Sequence, residues 1–143
     1  MIVVGVDGSD GGAKALEFAA AEAALRETQL RIVSAWEMPE WRYTAPPGFE
    51  PVLDPATLDA FRERGQEIAH NALASVKGQH PSLEVEAVAV QGHPADALLA
   101  QGADAELIVV GRRGLGGFKS LLLGSVSQQV VHHASCPVVV VGS

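Results

Sequence analysis

Ile2-Val3-Val4-Gly5-Val6 runs without a polar residue into Asp7-Gly8-Ser9-Asp10-Gly11-Gly12. A strand with one wet face alternates apolar and polar residues. This one does not, so it reads as a strand covered on both faces, the pattern of a parallel sheet. The cluster after it is rich in turn and capping residues. From Ala13 to about Arg26 the chain is alanine-rich, and Leu16, Ala19, Ala20 and Ala23 recur at helical spacing. Strand, turn and helix in that order predict a crossover unit.

The alternation continues along the chain. Residues 30–36 (LRIVSAW) read as a second strand. Residues 37–55 hold Pro39, Pro46, Pro47, Pro51 and Pro55 with Gly48, which predicts a long loop. A helix over 56–77 follows from the stripe Leu58, Phe61, Ile68, Ala72 and Val76. Residues 83–90 begin in alternation and turn apolar, as expected of a strand near a sheet edge. Gly92-His93-Pro94 is a turn, and Pro94 suits the first position of a helix reaching about Ala100. Residues 106–110 (ELIVV) predict a fourth strand, 125–134 a helix, and 137–141 (PVVVV) the last strand. The expectation is one α/β domain over residues 1–143. It has an open five-stranded parallel sheet of order 3-2-1-4-5, Rossmann-like, with helices on both faces.

Bulk properties narrow the function. A chain of 143 residues can bury roughly two thirds of its unfolded surface, enough for a core without staples. With 48% apolar but only 5% aromatic residues, that core must be aliphatic. A net charge of −7 argues against a nucleic-acid partner, because phosphate backbones need a basic face. One cysteine, Cys136, excludes an intrachain disulfide and suits a reducing compartment. No apolar run reaches the length of a membrane span. The expectation is a cytoplasmic protein with no membrane partner.

The chemistry concentrates after the fourth strand, in Gly111-Arg112-Arg113-Gly114-Leu115-Gly116-Gly117-Phe118-Lys119-Ser120. Its four glycines allow close approach of backbone to a ligand. Arg112, Arg113 and Lys119 gather positive charge in an acidic chain. Ser125 and Ser127 stand at the start of the next helix, where free N–H groups and the helix dipole attract anions. Together these features describe a phosphate cradle. Asp7 ends the first strand, which lies next to the fourth in this strand order. Ligands of open α/β sheets bind at that reversal. Asp7 or Asp10 can cap the first helix; capping by Asp10 leaves Asp7 to accept hydrogen bonds from a ribose or an adenine amine.

The spacing Gly111-x2-Gly114-x9-Gly124-Ser125 resembles the ATP-binding pattern of the universal stress protein family. The likeness covers the whole chain, including Val6-Asp7-Gly8-Ser9, Gly92-His93-Pro94 and Ser135-Cys136-Pro137-Val138-Val139-Val140. The resemblance implies that Gly5, Val6 and Asp7 hold the adenine or ribose side and that Ala35 lines the base pocket. It implies that Val110, Gly111 and Gly114 meet ribose and phosphates, and that Gly124, Ser125, Val126 and Ser127 cradle the triphosphate. Arg113 joins them on charge alone. The ligand implied is ATP, with Mg²⁺ as its companion ion. ADP, AMP and cyclic nucleotides stay open. The resemblance also implies a homodimer through strand 137–141, a charge-free sheet edge of the kind that pairs with a copy of itself.

Other motifs point elsewhere or nowhere. A Walker A loop needs glycine before its lysine, and Phe118 precedes Lys119; no GxGxxG follows the first strand. His132 and His133 are adjacent and cannot share a helix face. Cys136 reads as a small buried hydrophobe. Trp36, Trp41 and Tyr43 either cover a base pocket or pack the long loop. Without a nucleophile paired to a base, binding with at most slow hydrolysis leads. An enzyme using Asp7 and His93, and an interaction module that needs no nucleotide, are the alternatives.

Overall fold

The structure, a computed structural model, describes residues 1–38, 46–49, 54–114 and 122–142. Strands β1 (Ile2–Val6), β2 (Leu30–Trp36), β3 (Val85–Gln91), β4 (Leu107–Gly111) and β5 (Val138–Val141) alternate with helices α1 (Asp10–Leu25), α2 (Pro55–Gln79), α3 (Pro94–Gln101) and α4 (Ser125–His133). All strand pairs are parallel and the order is β3-β2-β1-β4-β5. This is the topology expected from the sequence.

The unbroken apolar run of β1 follows from its central place. Ile2, Val4 and Val6 face α1 and α2 and pack with Ala15, Leu16, Ala19, Ala20 and Val76. Val3 faces the other way, with Val33, Leu98, Ile108 and Val130. Both faces of the strand are dry, so neither can be polar. The alanines of α1 keep that helix close to the sheet. Gly65 does the same for α2, where an added Cβ would lie 2.8 Å from Cδ1 of Trp36. Trp36 thus packs beneath α2. Trp41 and Tyr43 lie outside the described residues. Strands β3 and β5, at the two edges, are largely half-buried.

Several boundaries move for local reasons. Helix α1 starts at Asp10, three residues before the expected Ala13, because Ser9 is its N-cap; the Ser9 hydroxyl accepts the Gly12 N–H at 3.1 Å. Asp10 is therefore the first helical residue and not the cap. Helix α2 takes in Pro55, capped by Asp54, whose side chain accepts the Ala56 N–H at 3.3 Å. Proline at the first helical position loses no intrahelical bond. Strand β3 begins two residues late, since Leu83 N–H closes a turn onto His80 C=O at 3.0 Å.

Ile32 is fully buried in β2 and belongs to the α1–α2 core. Ile32→Ala is expected to cost about 2–5 kcal/mol, whereas Val131→Ala, at a site 46% exposed, should stay within about 0.5 kcal/mol. Urea unfolding with an unchanged slope checks both.

Candidate functional site

At the carboxyl end of the sheet, the chain leaves β1 for α1 on one face and β4 for α4 on the other. The two strands are neighbours, with Ile2 opposite Leu107 and Val4 opposite Val109. Their crossovers diverge and open a cleft of about 540 Å³. The residues that the resemblance marked for the nucleotide line it: Gly5, Val6 and Asp7 from β1 and its exit, Ala35 from β2, Val110 and Gly111 from β4. Arg113 and Gly114 follow on the loop, and Gly124, Ser125, Val126 and Ser127 form the start of α4. Lys119 lies outside the described residues.

The walls divide by polarity. Val33, Ala35, Pro94, Leu98 and Val110 make an apolar side around Gly5. Leu98 fills the space over Gly5: a Cβ there would stand 2.8 Å from Leu98 Cδ1. The polar side carries two helix N-termini. That of α1 is closed by the Ser9 cap. That of α4 begins at Gly124, with no side-chain cap. The N–H groups of its first turn belong to Ser125, Val126 and Ser127, which line the cleft.

Asp7 faces the glycine loop, as expected, but it is not released by a cap at Asp10. Its Oδ1 accepts the Ser9 N–H at 2.9 Å and also the Ser9 hydroxyl. The carboxylate therefore braces the capping serine. Its other oxygen, Oδ2, lies where a Cβ on Gly114 would fall. A side chain at position 114 and the carboxylate at position 7 exclude each other. The two glycine segments also interlock. A Cβ on Gly111 would meet Gly11 C and O at 2.8 Å, and one on Gly11 would meet Arg113 O at 2.5 Å.

Ser9, Gly12, Val33, Pro94 and Leu98 line the cleft without having been anticipated. Two signals were available. Pro94 and Leu98 stand four residues apart on one helix face, and Val33 is two residues before Ala35 on the same face of β2. His93 stays outside the cleft: it is the N-cap residue of α3 without a side-chain capping bond, and it lines a smaller hollow with Glu37, Met38, Gln91 and Gly92. His132 and His133 are exposed. Cys136, expected as a buried small hydrophobe, is half-buried and packed against the Val3–Ile108 side of the core. Among the described residues, no three His, Cys, Asp or Glu side chains come together as metal ligands, and no helix is long and apolar enough to cross a membrane.

A cleft at the strand-order reversal of an open parallel sheet places the chain among α/β proteins whose ligand sites lie at that point. Within that class it belongs to the universal stress protein family, whose sequence model matches residues 1–142. It is similar to a universal stress protein of Thermus aquaticus, encoded in the QAH/OAS sulfhydrylase 3′ region, 40% identical over 142 residues that span 98% of this chain and 96% of that one. Universal stress protein Rv2623 of Mycobacterium tuberculosis is 33% identical over 97% of this chain; the match spans 44% of that longer protein. Among solved structures, a universal stress protein in complex with cAMP is 27% identical with a TM-score of 0.71, covering 98% of this chain and 94% of the other. The Archaeoglobus fulgidus universal stress protein in complex with dAMP is 26% identical with a TM-score of 0.64, covering 97% and 94%.

The interlocked backbones give a direct test of this geometry. Gly111→Ala must part β4 from the first turn of α1, and backbone atoms cannot swing aside. A loss of about 1–3 kcal/mol in unfolding free energy is expected, against almost none for Gly142→Ala, where a Cβ meets nothing within 4 Å.

Proposed function

We propose that this chain is a single nucleotide-binding domain of the cytoplasm that takes an adenine nucleotide, ATP first, into the β1–β4 cleft. It acts as a regulatory stress-response protein by binding, with at most slow hydrolysis. The observation that carries this reading is the α4 N-terminus without a side-chain cap, which lines the same cleft as Asp7 and an apolar wall. The adenine-nucleotide complexes of two similar proteins support it.

In this reading the base lies against Gly5, Val6, Ala35 and Val110, where the wall is apolar. Asp7 accepts from the ribose or from the adenine amine. Gly111, Arg113 and Gly114 meet the ribose and first phosphates, and the first turn of α4, Gly124 to Ser127, receives the outer phosphates. Charge-assisted bonds from N–H groups to phosphate oxygens are the stronger kind. ATP arrives as its Mg²⁺ complex. No base or nucleophile is assigned, so turnover should fall below the roughly 1–1000 per second of ordinary enzymes.

Calorimetry with Mg-ATP on nucleotide-free protein should give micromolar binding. Asp7→Ala and Gly114→Ala should each weaken it at least about tenfold, or about 1.4 kcal/mol. ATP at 100 times its dissociation constant should add about 2.7 kcal/mol of stability. Absence of binding by the parent would make the loop a connector and leave the interaction module as the better reading.

The same proposal includes a homodimer through β5. This edge strand reads Val138-Val139-Val140-Val141, without charge or proline to blunt it. Sedimentation equilibrium at micromolar concentration should return twice the chain mass; a monomer there would remove the dimer from the proposal.

A further inference from the structure

Ser127 is 2% exposed, although it lines the cleft. Its hydroxyl lies 2.9 Å from Arg112 C=O and 3.1 Å from Gly124 C=O, and it donates to them. A serine hydroxyl has one hydrogen. Here that hydrogen is directed to backbone carbonyls, and only lone pairs remain. Lone pairs repel a phosphate.

The carbonyl it holds is a junction. Arg112 C=O also accepts the Gly124 N–H at 2.8 Å, and Arg112 N–H donates to Val141 C=O of β5 at 2.9 Å. Gly124 C=O in turn accepts the first helical bond of α4, from Gln128 N–H at 3.0 Å. Arg112 and Gly124 are the two ends of the glycine loop. The Ser127 hydroxyl therefore bridges both ends and fixes them to the start of α4.

We infer that Ser127 is a positioning residue for the nucleotide site and not a phosphate ligand through its hydroxyl. It closes the base of the glycine loop so that the α4 amides are already in place when an anion arrives. A preorganised cradle loses less entropy on binding than one that must be ordered. The part of this inference that concerns affinity rests on the proposed nucleotide binding. The part that concerns the loop does not.

The test uses Ser127→Ala and Ser127→Thr in the full chain. Without nucleotide, amide exchange at Gly124 should be faster in Ser127→Ala by about three- to tenfold, the loss of one buried hydrogen bond, while exchange in β1 and β2 stays as in the parent. In calorimetry, AMP, ADP and ATP should all weaken by the same factor, again about three- to tenfold. Ser127→Thr should restore both, because a threonine Oγ1 can bond the carbonyl three residues back. Unchanged Gly124 exchange in Ser127→Ala would overturn the inference. So would a loss confined to ATP with AMP untouched, which is the mark of a direct phosphate contact. If the parent binds no nucleotide, the binding proposal fails, and the exchange measurement still decides the role of Ser127.

Discussion

The interlock of Gly111 with Gly11, and of Gly11 with Arg113, governs the shape of the cleft around it. β4 ends where α1 begins, and an added Cβ on Gly111 would lie 2.8 Å from Gly11 C and O. This fit sets where Arg112 and Arg113 leave the sheet. It also sets how far the start of α4 stands from the start of α1, which fixes the width of the cleft. Glycine is required here for space: neither residue has a positive φ. Gly8, with φ of +83°, is the position in the β1–α1 turn where the left-handed conformation itself requires it.

The core beneath is built to keep that edge rigid. Two dry layers flank β1, one with α1 and α2 and one with α3 and α4. Fully burying a valine or isoleucine contributes about 1.5–3 kcal/mol, and the central strands hold several such residues at zero exposure. The cleft lies at the carboxyl end of the sheet, where the crossovers part. Stability and the site are thus separated along the strand axis, which lets the rim carry glycines that a core could not tolerate.

The fold was legible because β1, β4 and β5 are unbroken apolar runs rich in β-branched residues and the segments between them carry helical stripes or caps. The placement of the cleft followed from strand order. What could not be read lies at finer scale. Asp7, Ser9 and Asp10 are all good capping residues, and only geometry assigns the cap to Ser9 and the brace to Asp7. Leu98 carries no polar signal, so its part in the cleft depends on α3 crossing over Gly5. Ser127 has the same residue type as Ser125, and nothing in the string GSVS says that one is exposed and the other 2% exposed.

The two helix N-termini at the cleft are chemically unequal, and that inequality gives the site a direction. At α1 the positive end is occupied from within, by the Ser9 cap and the Asp7 carboxylate behind it. A second anion there would meet the negative charge of Asp7. At α4 the first turn has no side-chain cap, and Arg113 lines the cleft beside it. An anion is favoured at α4, and a hydroxyl or amine donor is favoured at Asp7. The apolar wall of Val33, Ala35 and Leu98 adds the third requirement, a flat or apolar body. A molecule that meets all three must carry its anion at one end, donors in the middle or beyond, and an apolar ring system away from the charge. The adenine nucleotide proposed for the cleft has that order of parts.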